Sequence, residues 1–143
     1  MLQQKEYTKI YTAYDKYGYL HLLLYNDTKT DALFFDGISF SYKPLLKMIP
    51  PEYSQLKYRE KSLNTILEVE SVKQSGDFRF IKFRNGDIFQ IYFMMDDNRS
   101  NQILSIFQEK EHKHIATPLG INLYDSVLKA FDAAEECEIK NEK

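Results

Sequence analysis

Glu109-Lys110-Glu111-His112-Lys113-His114 is the run of this chain whose residue types suit a metal ion. On a strand, His112 and His114 would share one face, with Glu109 and Glu111 offering carboxylate oxygens beside them. Two imidazoles with loosely spaced carboxylates fall short of a ligand set, and charged loops of this kind are ordinary solvated surface. No metal and no other cofactor is expected. His21, within the segment Tyr19 to Tyr25, has the chemistry of a general base. No Gly-x-Ser-x-Gly elbow supplies it with a nucleophile, and separated His-x-Thr/Ser repeats are absent. Cys137 is expected late in a helix, where the dipole disfavours a thiolate. Asp96-Asp97 and Glu135-Glu136 read as solvated pairs, and 5 glycines leave no phosphate-cradling loop. These residues point away from an enzyme.

Binding chemistry is better represented. Asp125, Asp132, Glu135 and Glu136 fall on the polar side of a helix expected over Asn122–Glu138, with Lys129 the one interruption. Such a face could meet a basic partner, as inhibitors and immunity proteins do when they block nucleases. Arg79 and Tyr92 are expected on one face of a hairpin, with the guanidinium over the ring. Aromatics interleaved with Arg79, Lys82 and Arg84 also suit single-stranded nucleic acid, through an Arg79–Phe83 face. The glycines of an RRM signature are missing there and the chain is net acidic, so nucleic acid is not favoured.

The elements that must carry these groups are mostly strands. Tyr7–Tyr14 and Tyr19–Tyr25 flank the turn Asp15-Lys16-Tyr17-Gly18. Ala32–Phe35 and Ile38–Tyr42 flank Asp36-Gly37, a two-residue hairpin signal, and Ile38–Tyr42 is a strand whose edge could pair across a dimer. In residues 43–64, Pro44 suits the first turn of a short helix bearing Leu45, Leu46 and Met48, and Pro50-Pro51 ends it. From Glu52 the spacing of Gln55, Leu56, Arg59, Glu60 and Leu63 favours helix over a solvated strand. Thr65–Lys73 and Gln102–Gln108 read as strands, and a helix with Asn122 as N-cap carries Leu123, Val127, Leu128, Phe131 and Ala134 inward. Residues 140–143 are expected to fray.

Phe78 to Phe93 forms the strongest hairpin signal, around Asn85-Gly86. A two-residue type I′ turn there pairs Phe83 with Ile88, Phe80 with Ile91 and Phe78 with Phe93. That register assigns Phe78, Phe80, Phe89, Ile91 and Phe93 to the core face.

At 143 residues, 43% hydrophobic and 28% charged, the chain suits a single domain over 1–143 with a real core. Its 11 Tyr and 10 Phe lean towards sheet. A formal charge of −2 gives no general attraction to nucleic acid or anionic membrane. One cysteine, no long apolar run and no signal peptide at Met1 to Lys5 fit a reduced cytoplasmic setting. The expected fold is α+β: a mainly antiparallel twisted sheet or partly closed barrel built from hairpins, with a C-terminal amphipathic helix packed on it. The expected function is that of a small non-enzymatic binding protein, of inhibitor or immunity type. Its partner would be another protein, such as a basic toxin or nuclease surface, with no membrane. The alternatives are a sheet that sequesters a small molecule or nucleotide, or a single-stranded nucleic-acid module.

Overall fold

A computed structural model describes residues 6–26, 31–44, 59–96, 99–109 and 123–141. Among the described residues the fold is mostly sheet, mainly antiparallel and not closed, with one short helix near the C-terminal end. The described residues divide into two compact units, each drawing on several stretches of chain.

The first unit contains β1 (Glu6–Tyr14), β2 (Leu20–Tyr25), β3 (Asp31–Phe35) and β4 (Phe40–Pro44). It also takes the opening half of β5 (Arg59–Ser75) and β10 (Ile139–Asn141). Their order is β10-β4-β3-β2-β1-β5. Leu22-Leu23-Leu24-Tyr25 is a continuous apolar run because β2 is buried on both sides. By register, Leu22 lies opposite Phe35 and Leu24 opposite Leu33, while Leu23 lies opposite Phe34 on the other face. Leu23, Tyr25, Ala32 and Phe34 form one cluster, with Tyr11 stacked on Tyr25 at 5.1 Å.

Three expectations change in this unit. The β3–β4 loop is Gly37-Ile38 rather than Asp36-Gly37, since Phe35 pairs with Phe40. Ile38 therefore leaves the strand for the turn, where it is 60% exposed. Arg59 to Ser62 pair with β1, from Thr12↔Arg59 to Lys9↔Ser62, so the helical spacing read through Arg59, Glu60 and Leu63 yields to strand. A backbone ladder with β1 satisfies these amides, and helical spacing within a segment cannot anticipate a partner so far away. The expected helix residues Leu45, Leu46, Met48, Glu52, Gln55 and Leu56, with Pro50-Pro51, lie outside the described residues. Finally, of the residues 140–143 expected to fray, Lys140 and Asn141 belong to a strand, Ile139–Asn141, that pairs parallel with β4 along the edge expected to be open.

The second unit comprises the later half of β5, β6 (Phe78–Phe83), most of β7 (Ile88–Asp96), the end of β8 (Arg99–Phe107), α1 (Leu123–Ala133) and β9 (Glu135–Glu136). The β6–β7 register is Arg79↔Ile91, Phe80↔Gln90, Ile81↔Phe89 and Lys82↔Ile88. This is one residue away from the expected pairing. Phe83 N–H donates to Asp87 O at 2.9 Å, and Gly86 N–H to Phe83 O at 2.9 Å, which encloses three residues, Arg84-Asn85-Gly86. Gly86 has φ +94°, the left-handed residue that closes a type I turn with a G1 bulge.

A shift of one residue sends cross-strand neighbours to different faces. Ile81, Phe83, Phe89 and Ile91 now share one buried face, with the Phe83 and Phe89 rings 4.7 Å apart at 70°. Phe80 and Ile88 lie on the other, where Tyr124, Val127 and Phe131 of α1 pack with them, joined by Phe107, Leu128 and Ala134. Phe80 meets Phe131 edge-on at 6.1 Å. Phe78, assigned to the core from the sequence, is 41% exposed and stacks on Tyr92 at 5.7 Å.

The helix ends at Ala133 and not at Glu138. Ala134 N–H turns back to Phe131 O at 3.1 Å, and Glu135 and Glu136 pair with Gln74 and Lys73 of β5. Cys137, expected in the helix, donates its N–H to Val72 O at 3.1 Å. From Glu135 to Cys137 the backbone pairs with β5, and that competition shortens the helix.

Candidate partner-binding surface

The Asn85-Gly86 turn is held from inside and from outside. Asp87 N–H donates to Asn85 Oδ1 at 2.9 Å, and Asn85 Nδ2 returns a bond to Asp87 Oδ2 at 3.1 Å. The second Asp87 oxygen, Oδ1, accepts Glu109 N–H at 3.1 Å, so a carboxylate that is only 5% exposed is bonded at both oxygens. From α1, the Tyr124 hydroxyl donates to Gly86 O at 2.6 Å. Glu109 lies directly over Gly86, in the space a Cβ would need.

Four carboxylates bear on that tyrosine. Burial, followed by the charges of Glu109, Asp87, Asp125 and Asp132, pushes its hydroxyl up to about 12. Glu109, Asp125 and Asp132 are exposed, so the negative charge faces solvent around a rigid tyrosine–turn bond. A phenol held so high stays protonated near neutral pH and keeps its hydrogen to donate to Gly86 O.

Of the residues singled out from sequence, Asp125 and Asp132 are exposed on α1, and their charges act on Tyr124. Glu135 and Glu136 are exposed too, but on β9, opposite Gln74 and Lys73. Lys73 Nζ lies 4.3 Å and Lys82 Nζ 5.6 Å from the Phe131 ring centre, and Lys82 also meets Glu70 at 3.4 Å.

Arg79 and Tyr92 are not brought together. The three-residue turn sets Arg79 opposite Ile91, so Tyr92 falls on the other face, against Phe78. The Arg79 guanidinium instead donates to Gly76 O at 2.7 Å and Phe78 O at 3.2 Å. The proposed Arg79–Phe83 stacking face also fails, because Phe83 is 0% exposed.

His21 belongs to the first unit, where its Nε2 bonds Asp15 Oδ2 at 2.9 Å. Asp15 Oδ1 accepts the N–H groups of Tyr17 at 2.8 Å and Tyr19 at 3.1 Å. Burial raises the Asp15 carboxyl, but these bonds and the His21 charge outweigh it and hold the group below its ordinary value. The pair closes a turn. Burial pushes the Cys137 thiol up, against the pull of Arg79, which makes it a poorer nucleophile. Among the described residues no group of three His, Cys, Asp or Glu could hold a metal. Glu111, His112 and His114 lie outside those residues.

Tyr124, Asp87 and Glu109 were not singled out by sequence reasoning as one site. A signal was present: Tyr124, Val127 and Phe131 share helical spacing, and a buried tyrosine needs an acceptor for its hydroxyl. No helix among the described residues is long and apolar enough to cross a membrane. No protein-family model, curated protein or solved structure matches this chain.

Proposed function

We propose that this chain is a non-enzymatic cytoplasmic binding protein that engages and blocks another protein, in the manner of an inhibitor or immunity protein. The contact is the acidic side of the second unit, with Asp125 and Asp132 at its centre and Glu135 and Glu136 beside it. On this reading α1 is the amphipathic cover of a hairpin-built sheet, with Tyr124, Val127 and Phe131 turned inward and carboxylates outward.

The observations that support the reading are the exposure of Glu109, Asp125 and Asp132, whose charges act on Tyr124, and the Tyr124–Gly86 bond that ties α1 to the turn. Carboxylates on a helix locked to a turn need little ordering on association, which favours affinity and fast, salt-sensitive encounter with a basic surface. Arg79 and Tyr92, on opposite faces, do not form a joint part of it.

The test is affinity capture from the native cell at two salt concentrations, with Asp125→Lys/Asp132→Lys and Glu135→Lys/Glu136→Lys as controls. A basic protein retained at low salt by the parent, and lost with the first pair, is expected. Equal capture by all three folded proteins, or none by the parent, would sink the proposal.

A further inference from the structure

Asn85 is exposed, and the residue after it is Gly86, with no Cβ to shield its nitrogen. A side-chain amide followed by glycine is open to attack by that backbone nitrogen. In the reaction Gly86 N gives up its proton and bonds Asn85 Cγ, and the Cγ–Nδ2 bond breaks. The amide nitrogen leaves with the proton as ammonia. Water then opens the cyclic imide at one of two bonds. Cleavage between Gly86 N and Cγ leaves aspartate. Cleavage between Gly86 N and the main-chain carbonyl carbon of Asn85 leaves isoaspartate, with the chain routed through the former side chain. Water is the only co-reactant, and nothing is oxidised or reduced.

The folded turn occupies the groups that this reaction uses. Gly86 N–H donates to Phe83 O at 2.9 Å. Asp87 holds the Asn85 carboxamide at both ends, giving its N–H to Oδ1 at 2.9 Å and accepting Nδ2–H at 3.1 Å. Glu109 N–H anchors Asp87 in turn, and the Tyr124 hydroxyl holds Gly86 O from α1. To bring Cγ onto Gly86 N, the carboxamide must leave this clasp and the Asn85–Gly86 peptide must rotate against Tyr124. We infer that Asn85 is a self-modification site, converted to aspartate and isoaspartate when the turn opens, and that α1, through Tyr124, sets the rate. The conversion also weakens its own restraint. Aspartate sets a second carboxylate against Asp87 where Nδ2 had donated. Isoaspartate adds a carbon to the main chain inside a turn closed by Gly86, so the carbonyl that Tyr124 holds moves. All these groups lie in the second unit, and the inference is independent of what its acidic side binds.

Incubation of the intact chain at neutral pH, followed by peptide mapping with isoaspartate detection, tests this. Asn85 should convert on the order of tenfold or more slowly in the folded chain than in the same chain held in guanidinium chloride. Hydrogen exchange of the Gly86 N–H should be slowed by a similar factor, since both processes wait for the turn to open. Tyr124→Phe removes one bond to the turn and should speed conversion roughly two- to tenfold, with no change in the denatured rate. In the purified isoaspartate form the amides of Val127 and Phe131 should exchange faster than in the parent. Equal rates in the folded and denatured chains would overturn the inference. So would folded-chain conversion faster than the protection of Gly86 N–H permits, and these two results decide the matter even if Tyr124→Phe does not fold. A folded Tyr124→Phe that converts at the parent rate would overturn the role of α1, and unchanged exchange of Val127 and Phe131 would overturn the loosening.

Discussion

Two of the tight hairpins, β1–β2 in the first unit and β6–β7 in the second, use the same backbone solution and lock it differently. Asp15 N–H donates to Tyr19 O and Gly18 N–H to Asp15 O, each at 3.1 Å. Phe83, Asp87 and Gly86 repeat that pattern, and Gly18 and Gly86 both have positive φ, 86° and 94°. In the first turn the side-chain lock is local: Asp15 gathers Tyr17, Tyr19 and His21 from its own hairpin. One long-range residue adds to it. Gln102 donates its N–H to Gly18 O at 2.9 Å, accepts Leu20 N–H at 2.7 Å and donates Nε2–H to Gly37 O at 2.8 Å. In the second turn Asn85 and Asp87 clasp each other, and the outer bonds come from Glu109 and Tyr124, far along the chain. The lesson is that turn geometry is a local property, whereas what a turn displays depends on the element that docks on it.

The strongest way to break the comparison is at Gln102, which is 1% exposed. Gln102→Leu strands the Leu20 N–H and Gly37 C=O, and should cost about 2–5 kcal/mol in chemical denaturation. Next comes Gly86→Ala. Positive φ and the overlying Glu109 should make it cost about 1–3 kcal/mol, more than Gly76→Ala, where an added Cβ meets nothing.

A smaller effect is expected of Tyr124→Phe, about 0.5–1.5 kcal/mol for one hydrogen bond to a turn carbonyl. In the parent, ultraviolet titration should find one tyrosine ionising near 12, and Glu109→Gln/Asp125→Asn should bring it down. The smallest effect separates the turns by pH. Asp15 is held below its ordinary 3.8, so its contribution is present in full above that value and is lost as pH falls through the lower folded value. Melting temperatures measured from pH 5 downward should show a shallower acid loss in His21→Ala, since one of the bonds lowering Asp15 is gone.

Much of the strand map was legible. The tyrosine- and phenylalanine-rich segments around Gly18, Gly37 and Gly86 are strands on either side of turns, and the helix near the end exists where the spacing of Val127, Leu128 and Phe131 put it. The candidate surface was only half legible. Asp125 and Asp132 could be read as outward from helical spacing, but Glu135 and Glu136 were carried along into a helix that had already ended. Arg79 and Tyr92 were lost to one residue of turn length.

That residue marks the division between local and tertiary information. By itself, the order of residues determined that a hairpin closes at Asn85-Gly86, because few dipeptides tolerate its backbone angles. It could not choose between two-residue and three-residue loops, because Phe78 and Phe80 alternate with Ile81 and Phe83, so either face could be called the core. Packing of α1 against Phe80 and Ile88, with Tyr124 bonded to Gly86 O, distinguishes the faces. The same holds after Ala133. Backbone amides of Glu135 to Asn141 go to whichever strand edge is nearest, and only the folded chain brings β5 and β4 within reach of them.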